Sequence, residues 1–379
     1  MKNILFIHQS AELYGSDKTL LYLVVNLDKS KFFPIVILPN DGPLKIELEK
    51  KNIKVIIAPV LKLYRKMFTP SNLLKFIKDY FRGTKTIKAI KKEHKIDFIY
   101  SNTLAVLLGF FYCFFHKTKH IWHVHEIIES PTIFTKSFRF FLNNSTNTVL
   151  IHNSIATSNF WNCKGNNQVI WNGIAIFPEL ENKEKETIRK TILNSSNEIF
   201  FALVGRISRW KGQMLLLETF NELIKKHQNI KLVYIGSAPP NQEHFLDSLK
   251  EKIAEYDLTD NVEIIPFQEN INQLWQSIDV AVVPSTEPEP FGMVAIEAMM
   301  AKKPVVAANH GGLTEIVVNN ETGFLVEPNN KKDLQEALEK LINNPELRKT
   351  FGENGFKRAI ENFSIENYVR KIEDILENN

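Results

Sequence analysis

Short apolar runs recur along this chain, and most are followed by a stretch whose apolar positions repeat every three to four residues. In the first half the runs are Asn3–His8, Phe33–Leu38, Lys54–Ala58, Asp97–Ser101, His120–His125 and Thr148–His152. Amphipathic stretches lie between them at Lys18–Leu27, Leu44–Lys51, Asn72–Glu93 and Leu104–Phe115. Continuous Val, Ile and Phe runs at this spacing predict parallel strands, buried on both faces and linked by helical crossovers. The pattern restarts at Ile199–Val204 and continues through Lys231–Ile235, Val262–Phe267, Val280–Pro284, Pro304–Ala308 and Phe324–Val326. Between the two series, Phe177–Asn197 is polar and charged and holds no long apolar run, which places a domain boundary near residues 174–185. A last amphipathic helix is expected over Ser364–Glu377, with Ile365, Tyr368, Val369, Ile372, Ile375 and Leu376 at its apolar positions.

A length of 379 residues suits two domains. The expected fold is α/β: two Rossmann-like, doubly wound domains facing a cleft, one over 1–175 and one over 176–362, then a terminal helix over 363–379. In such sheets ligands bind beyond the carboxyl ends of the strands. Only two cysteines are present, Cys113 and Cys163, so no disulfide framework is expected and a reducing, cytoplasmic compartment fits. The opening Met1–Ile7 has too few apolar positions before His8, Gln9 and Ser10 for a secretory leader, and reads as a first strand. The apolar run Leu104–Phe115 is shorter than the roughly 20 residues a membrane-spanning helix needs and is expected to be a buried helix.

Net charge is only +4, but its distribution is lopsided. Residues 1–175 carry 24 Lys and Arg against 11 Asp and Glu, and the excess concentrates in Lys62–Lys95. There the cations alternate with Leu63, Tyr64, Met67, Phe68, Leu73, Leu74, Phe76, Ile77, Tyr80 and Phe81. Such a stretch has the chemistry of a segment resting on an anionic membrane surface, and equally of a solvated helix face. No recognisable nucleic-acid-binding module surrounds it, so no nucleic-acid partner is expected.

The segment richest in chemistry is Pro284-Ser-Thr-Glu-Pro-Glu-Pro-Phe-Gly-Met-Val-Ala-Ile-Glu297. Glu289 sits in a proline-punctuated loop, and Glu297 falls inside the helix that Gly292 opens. Between them the N–H groups of Gly292, Met293 and Val294 form a helix start, where an anion is favoured. An anion cradle flanked by two carboxylates matches a diphosphate set between two hydroxyl-bearing sugars. Upstream, Val204-Gly-Arg-Ile-Ser-Arg-Trp-Lys-Gly212 places Arg206 after a strand end and Lys211 before a helix. Arg offers a planar fork to phosphate oxygens and Lys a mobile point charge. Arg209, between them, reads as peripheral.

Together Glu-Pro-Phe-Gly-x-x-x-x-Glu and Gly-Arg-x-x-x-x-Lys-Gly resemble the motifs of the retaining glycosyltransferases of family 4, of the bacterial polysaccharide and lipopolysaccharide type, with the GT-B fold. The resemblance implies that the terminal helix crosses back to the first domain. It implies that Arg206, Lys211, Glu289, Phe291, Gly292, Met293, Val294 and Glu297 bind a nucleotide-sugar donor. Glu297 would accept from the ribose hydroxyls and Glu289 from the transferred sugar. Glu287 precedes the same loop, but only Glu289 has the eight-residue offset and the following Pro-Phe-Gly. In Trp122-His-Val-His-Glu126 the resemblance makes His125 the sugar-contacting residue, with Glu126 beside it, and leaves His123 as a buried, hydrogen-bonded histidine.

Three further places carry weaker likenesses. The loop His8–Thr19 has Tyr14-Gly15-Ser16 where relatives often carry a double glycine; Gly15 and Ser16 offer backbone N–H groups to a phosphate, or simply cap a helix. Pro266-Phe267 stands where relatives often have glycine, near the expected nucleobase site. Asn153-Ser154, Asn172-Gly173-Ile174 and Gly311-Gly312-Leu-Thr-Glu315 resemble family turns, for which turn and cap structure is explanation enough.

The sequence contains no Asp-x-Asp pair of the kind that holds Mg²⁺ or Mn²⁺ on a diphosphate. No cofactor and no metal are therefore expected. The implied enzyme moves a hexose-type sugar from a UDP- or GDP-sugar to a glycan or lipid-linked acceptor, peripheral to the inner face of the cytoplasmic membrane. Two alternatives share the architecture: a nucleotide-sugar 2-epimerase and a non-catalytic sugar-nucleotide-binding subunit. An NAD-dependent dehydrogenase lacks its glycine fingerprint.

Overall fold

The computed structural model describes residues 1–62, 70–145, 147–193 and 198–379. Leu63, Tyr64, Met67 and Phe68 of the basic, aromatic stretch, and residues 194–197 of the polar one, lie outside the described residues.

Two compact units emerge. One comprises Met1–Ile174 together with Ile365–Asn379, the other Ala175–Ser364. The first unit holds strands β1 (Lys2–His8), β2 (Phe32–Leu38), β3 (Lys54–Ile57), β4 (Ile96–Asn102), β5 (Lys119–Val124), β6 (Thr148–His152) and β7 (Asn167–Val169). They pair in the order β3-β2-β1-β4-β5-β6-β7, all parallel. The second unit holds β8 (Ile199–Val204), β9 (Ile230–Ile235), β10 (Val262–Ile265), β11 (Val280–Val283), β12 (Val305–Ala308) and β13 (Gly323–Val326). Their order is β10-β9-β8-β11-β12-β13, again all parallel. Both are doubly wound, Rossmann-like sheets. Each reverses its winding at one point, β1/β4 in the first and β8/β11 in the second, and such a point opens a crevice at the strands' carboxyl ends.

Burial on both faces explains the unbroken apolar runs. In β1 Ile4 and Phe6 pack on one layer while Leu5 and Ile7 pack on the other, all at 0% exposure. The terminal helix Ile365–Asn378 belongs to the first unit: Tyr368, Val369, Ile372 and Leu376 are buried with Ile4, Phe6, Leu20 and Val24.

Several expectations need correction. The helix in the Leu104–Phe115 run is Leu107–His116, and it is buried only through Cys113. Phe114 and Phe115, in its last turn, are 49% and 62% exposed. The strand expected to reach Phe267 stops at Ile265, before Pro266, which has no N–H to give a ladder. The polar stretch after the first unit contains a helix, Asn182–Thr191, with no buried residue. It is closed at its start by a reciprocal Glu181–Glu184 cap. Arg189 ties it down by a 2.7 Å ion pair to Asp279.

Candidate active site

In the second unit the chain leaves β8 at Gly205, turns through Arg206 to Lys211, and enters the helix Gln213–Leu223. The side chain of Gln213 holds the turn by donating to the Arg206 carbonyl at 2.8 Å, while Arg206 itself is exposed. The neighbouring strand β11 ends at Val283, and the loop to the helix Met293–Met300 carries Ser285 and Glu289. Two glycines let these pieces meet. Gly212 has φ +80°, and a Cβ there would overlap the Pro284 carbonyl. Gly311 has φ +59°, and its Cβ would overlap the backbone of Glu289. Gly312 N–H then donates to the Glu289 carbonyl at 2.8 Å. The Gly-Gly turn thus clamps the acidic loop from behind.

This packing brings Lys211 and Glu289 together. Lys211 Nζ lies 2.6 Å from Glu289 Oε1, with side-chain exposures of 15% and 7%. Ser285 Oγ donates to the same carboxylate oxygen at 2.6 Å, and Lys211 also sits over the Trp210 ring. Glu287, two residues earlier, pairs instead with Arg209 on the exposed surface, so the two acids of the loop have separate partners. Phe291 and Gly292 are buried where the helix begins; Met293 and Val294 are half-buried. The first N–H groups of a helix have no acceptor within it and carry its positive dipole end. Glu297 is half-buried one turn on, and its Oε2 accepts from the buried indole of Trp275 at 3.4 Å. Phe267 follows β10, two strands away in the sheet order; it is 40% exposed and its N–H donates to Ser237 Oγ at 3.1 Å.

Sequence reasoning did not single out Ser285, Trp275 or His310, whose Nε2 lies 2.9 Å from the Ser285 carbonyl. Ser285 adjoins the motif and was within reach of such reasoning. Trp275 was not, since the contact to Glu297 spans 22 positions with no spacing signal.

The first unit gathers its own polar cluster at the β1/β4 crevice. His125 follows β5 and is 8% exposed; its Nε2 lies 3.1 Å from Asn102 Oδ1 at the end of β4. Burial, with the His8 charge nearby, pushes its pKa down to about 3, so the ring is neutral. His123 is fully buried, with Nδ1 2.8 Å from the Tyr100 hydroxyl. Glu126 Oε2 accepts from the N–H groups of His125 and Leu104 at 3.0 and 2.9 Å. Burial pushes its carboxyl up to about 6, against those two hydrogen bonds. Gly15 and Ser16 begin the helix Gly15–Asn26, whose start is capped by Asp17 accepting from Tyr14 N–H at 3.0 Å. Nothing lies within 4 Å of where a Gly15 Cβ would stand. Asn153 and Ser154 start the helix Ile155–Trp161, with Ser154 Oγ accepting from Thr157 N–H at 2.9 Å.

Among the described residues no group of three or more His, Cys, Asp and Glu side chains is placed to hold a metal ion. Nor is any helix among them long and apolar enough to cross a membrane.

Residues 184–358 match the family model described as Glycosyl transferases group 1. The chain is 29% identical over 338 residues to an uncharacterized glycosyltransferase of Methanocaldococcus jannaschii, covering 87% of this chain and 86% of that one. It is 36% identical over 186 residues to the capsular polysaccharide biosynthesis glycosyltransferase CapM of Staphylococcus aureus, about half of each protein. The crystal structure of Anabaena HepE in complex with UDP-glucose superposes with a TM-score of 0.85, covering 100% of both chains at 25% identity.

Proposed function

Because this chain belongs to the group 1 glycosyl transferases and has their GT-B fold, we propose that it moves a hexose-type sugar from a UDP- or GDP-sugar to a glycan or lipid-linked acceptor. The process is bacterial surface polysaccharide synthesis. The observation that carries this reading is the Lys211–Glu289 pair beside the helix start at Gly292. One crevice there offers a cation from one loop and a carboxylate and a dipole end from its neighbour.

The donor diphosphate would take Arg206, Lys211 and the helix start, which stabilise charge as it develops on the leaving group. Glu297, steadied by Trp275, accepts from the ribose hydroxyls. Glu289 accepts from hydroxyls of the sugar, and the family resemblance assigns a sugar contact to His125 as well. Gly15, Ser16 and Phe267 complete the donor contacts. Transfer proceeds with retention. The sugar–phosphate C–O bond breaks and its electron pair goes to the diphosphate. The acceptor oxygen bonds to the same face of the sugar, and its proton passes to the leaving phosphate oxygen. The reaction needs no metal, since these groups supply the charge that a cation would. Solved HepE–UDP-glucose favours a UDP-sugar, and the name of CapM favours a capsule-like product.

Hydrolysis of a panel of UDP-, GDP- and ADP-sugars, in excess chelator, with wild type and Glu297→Ala, tests the reading. Slow chelator-resistant hydrolysis of one donor, lost in the variant, is expected. Full loss in chelator restored by Mg²⁺ would remove metal independence. Sugar interconversion without transfer would return the epimerase. Binding of no donor would end the reading altogether.

The first unit also supports a peripheral membrane position. Leu74, Phe81, Phe115 and Phe140 are each more than 60% exposed, and Tyr80 packs against both Phe81 and Phe115. Lys75, Lys78, Arg82, Lys85 and Lys88 stand exposed on the same helix, Pro70–Glu93. Exposed aromatics among cations suit an anionic lipid surface.

A further inference from the structure

The β1/β4 crevice of the first unit holds a chain of side chains that donor binding alone does not explain. His8 closes β1, Asn102 closes β4, and Asp17 reaches them from the helix Gly15–Asn26; all three are 3% exposed or less. Asp17 Oδ1 lies 2.6 Å from His8 Nε2, and an ionised carboxylate only accepts, so the ring donates there. Asn102 stands between His8 and His125. Its Nδ2 lies 3.0 Å from His8 Nδ1 and 3.4 Å from the Ser16 carbonyl, and its Oδ1 lies 3.1 Å from His125 Nε2.

The polarity of this chain is fixed at Ser16. A carbonyl oxygen only accepts, so the amide keeps its NH₂ toward Ser16 and its oxygen toward His125. The reverse amide would set two oxygens against each other at Ser16. His8 is served in either charge state, because its Nδ1 also lies 3.0 Å from the Asn102 main-chain carbonyl. An amide oxygen facing His125 Nε2 requires that nitrogen to carry the proton.

We infer that Asn102 is a positioning residue that locks His125 in the tautomer protonated at Nε2, leaving the Nδ1 lone pair for an incoming hydroxyl. Glu126 holds the main-chain N–H of His125 at 3.0 Å, so the strand end and the ring are fixed by different groups. The consequence for substrate class rests on His125 contacting the donor sugar. A neutral ring offering a lone pair accepts from a hydroxyl and repels a carboxylate. The donor sugar then presents a neutral hydroxyl to His125, and a uronate at that position is disfavoured.

The test uses the full chain labelled with ¹⁵N-histidine. Long-range ¹H–¹⁵N correlation reads the tautomer of His125, assigned by its loss in His125→Gln. Wild type is expected as the single Nε2–H form. Asn102→Leu is expected to mix the tautomers. Asn102→Asp is expected to restore Nε2–H, since a carboxylate also accepts. An Nδ1–H ring in wild type, or an unchanged ring in Asn102→Leu, overturns the inference, and the wild-type spectrum decides even if the variants do not fold. In donor hydrolysis Asn102→Leu should lose about tenfold in kcat/KM, the worth of one hydrogen bond, with partial recovery in Asn102→Asp. If His125→Gln hydrolyses donor like wild type, the sugar-contact reading and the uronate consequence fall while the tautomer result stands by itself.

Discussion

Lys211 and Glu289 neutralise each other across 2.6 Å, 78 positions apart in sequence, on the two loops that flank the β8/β11 crevice. Both of these donor-binding groups therefore already have a partner. A diphosphate must compete with Glu289 for the Lys211 ammonium, and a sugar hydroxyl must compete with Lys211 and Ser285 for the carboxylate.

The pair makes stability and activity separable. Lys211→Met leaves a nearly buried carboxylate with Ser285 as its remaining side-chain partner, and breaking a buried pair costs about 3 kcal/mol. Glu289→Gln keeps an acceptor for the ammonium but leaves its charge uncompensated. The double variant Lys211→Met/Glu289→Gln should regain much of the melting temperature lost by either single change, while all three lose donor hydrolysis. A double variant no more stable than the sum of the singles would mean that the pair is not energetically coupled.

The glycines behind the site should act through geometry. Gly212→Ala and Gly311→Ala each place a Cβ onto backbone, at Pro284 and Glu289, and at positive φ. Both should lower the melting temperature and abolish donor hydrolysis, because the loops carrying Lys211 and Glu289 must separate. Gly165→Ala is the control. It has φ +106° but open space around it, so it should cost about 1 kcal/mol of backbone strain and leave hydrolysis unchanged. Hydrolysis intact in Gly311→Ala would mean that the clamp on Glu289 is dispensable.

The strands were legible because burial on both faces writes unbroken apolar runs, and Arg206, Lys211, Glu289 and Glu297 were legible because each pair shares one local segment. What sequence could not show is long-range. The helix Asn182–Thr191 has no apolar face to read; a cap and the Arg189–Asp279 pair hold it. The three-residue β7 is too short and polar to signal itself. Trp275 beneath Glu297 and Asn102 beside His125 are placed by strand order, which no spacing in the chain encodes. Phe114 and Phe115 read as core by composition, yet the helix's end carries them into solvent.

Acid should unfold the first unit early. Burial holds His120 and His125 at about 3, and lowers His123 and His152 as well. Their unfolded value is about 6.5, so below it the unfolded chain binds more protons and stability falls as pH falls. His120 and His125 each cost about 1.4 kcal/mol at pH 5.5 relative to pH 7.5, and His123 and His152 act in the same direction. Glu126 works the other way: its folded value of about 6 exceeds 4.5, so its contribution declines as pH rises through that window. The histidines outnumber it, and urea midpoints should drop steeply between pH 7 and 5. Glu126→Gln should steepen that drop, because it removes the opposing group; a flatter profile in the variant would reverse the assignment.

The proposed membrane contact rests on exposed rings set among cations, and the two contributions can be measured apart. Burying a phenylalanine side chain in the interface contributes about 1.5–3 kcal/mol at most, and each Lys or Arg near an anionic surface about 1 kcal/mol. Wild type should float with vesicles containing phosphatidylglycerol and stay behind with phosphatidylcholine alone. Phe81→Asp/Phe115→Asp should abolish flotation at any salt, whereas Lys75→Glu/Lys78→Glu should weaken it most at low ionic strength, where screening is least. All four substituted positions belong to the first unit and none is a donor-binding residue, so hydrolysis of a soluble donor should be unchanged in both. Transfer to an acceptor embedded in the vesicle should fall in both. Binding to neutral vesicles as strong as to anionic ones would make the lysines bystanders. Loss of flotation without loss of transfer would detach the patch from the reaction.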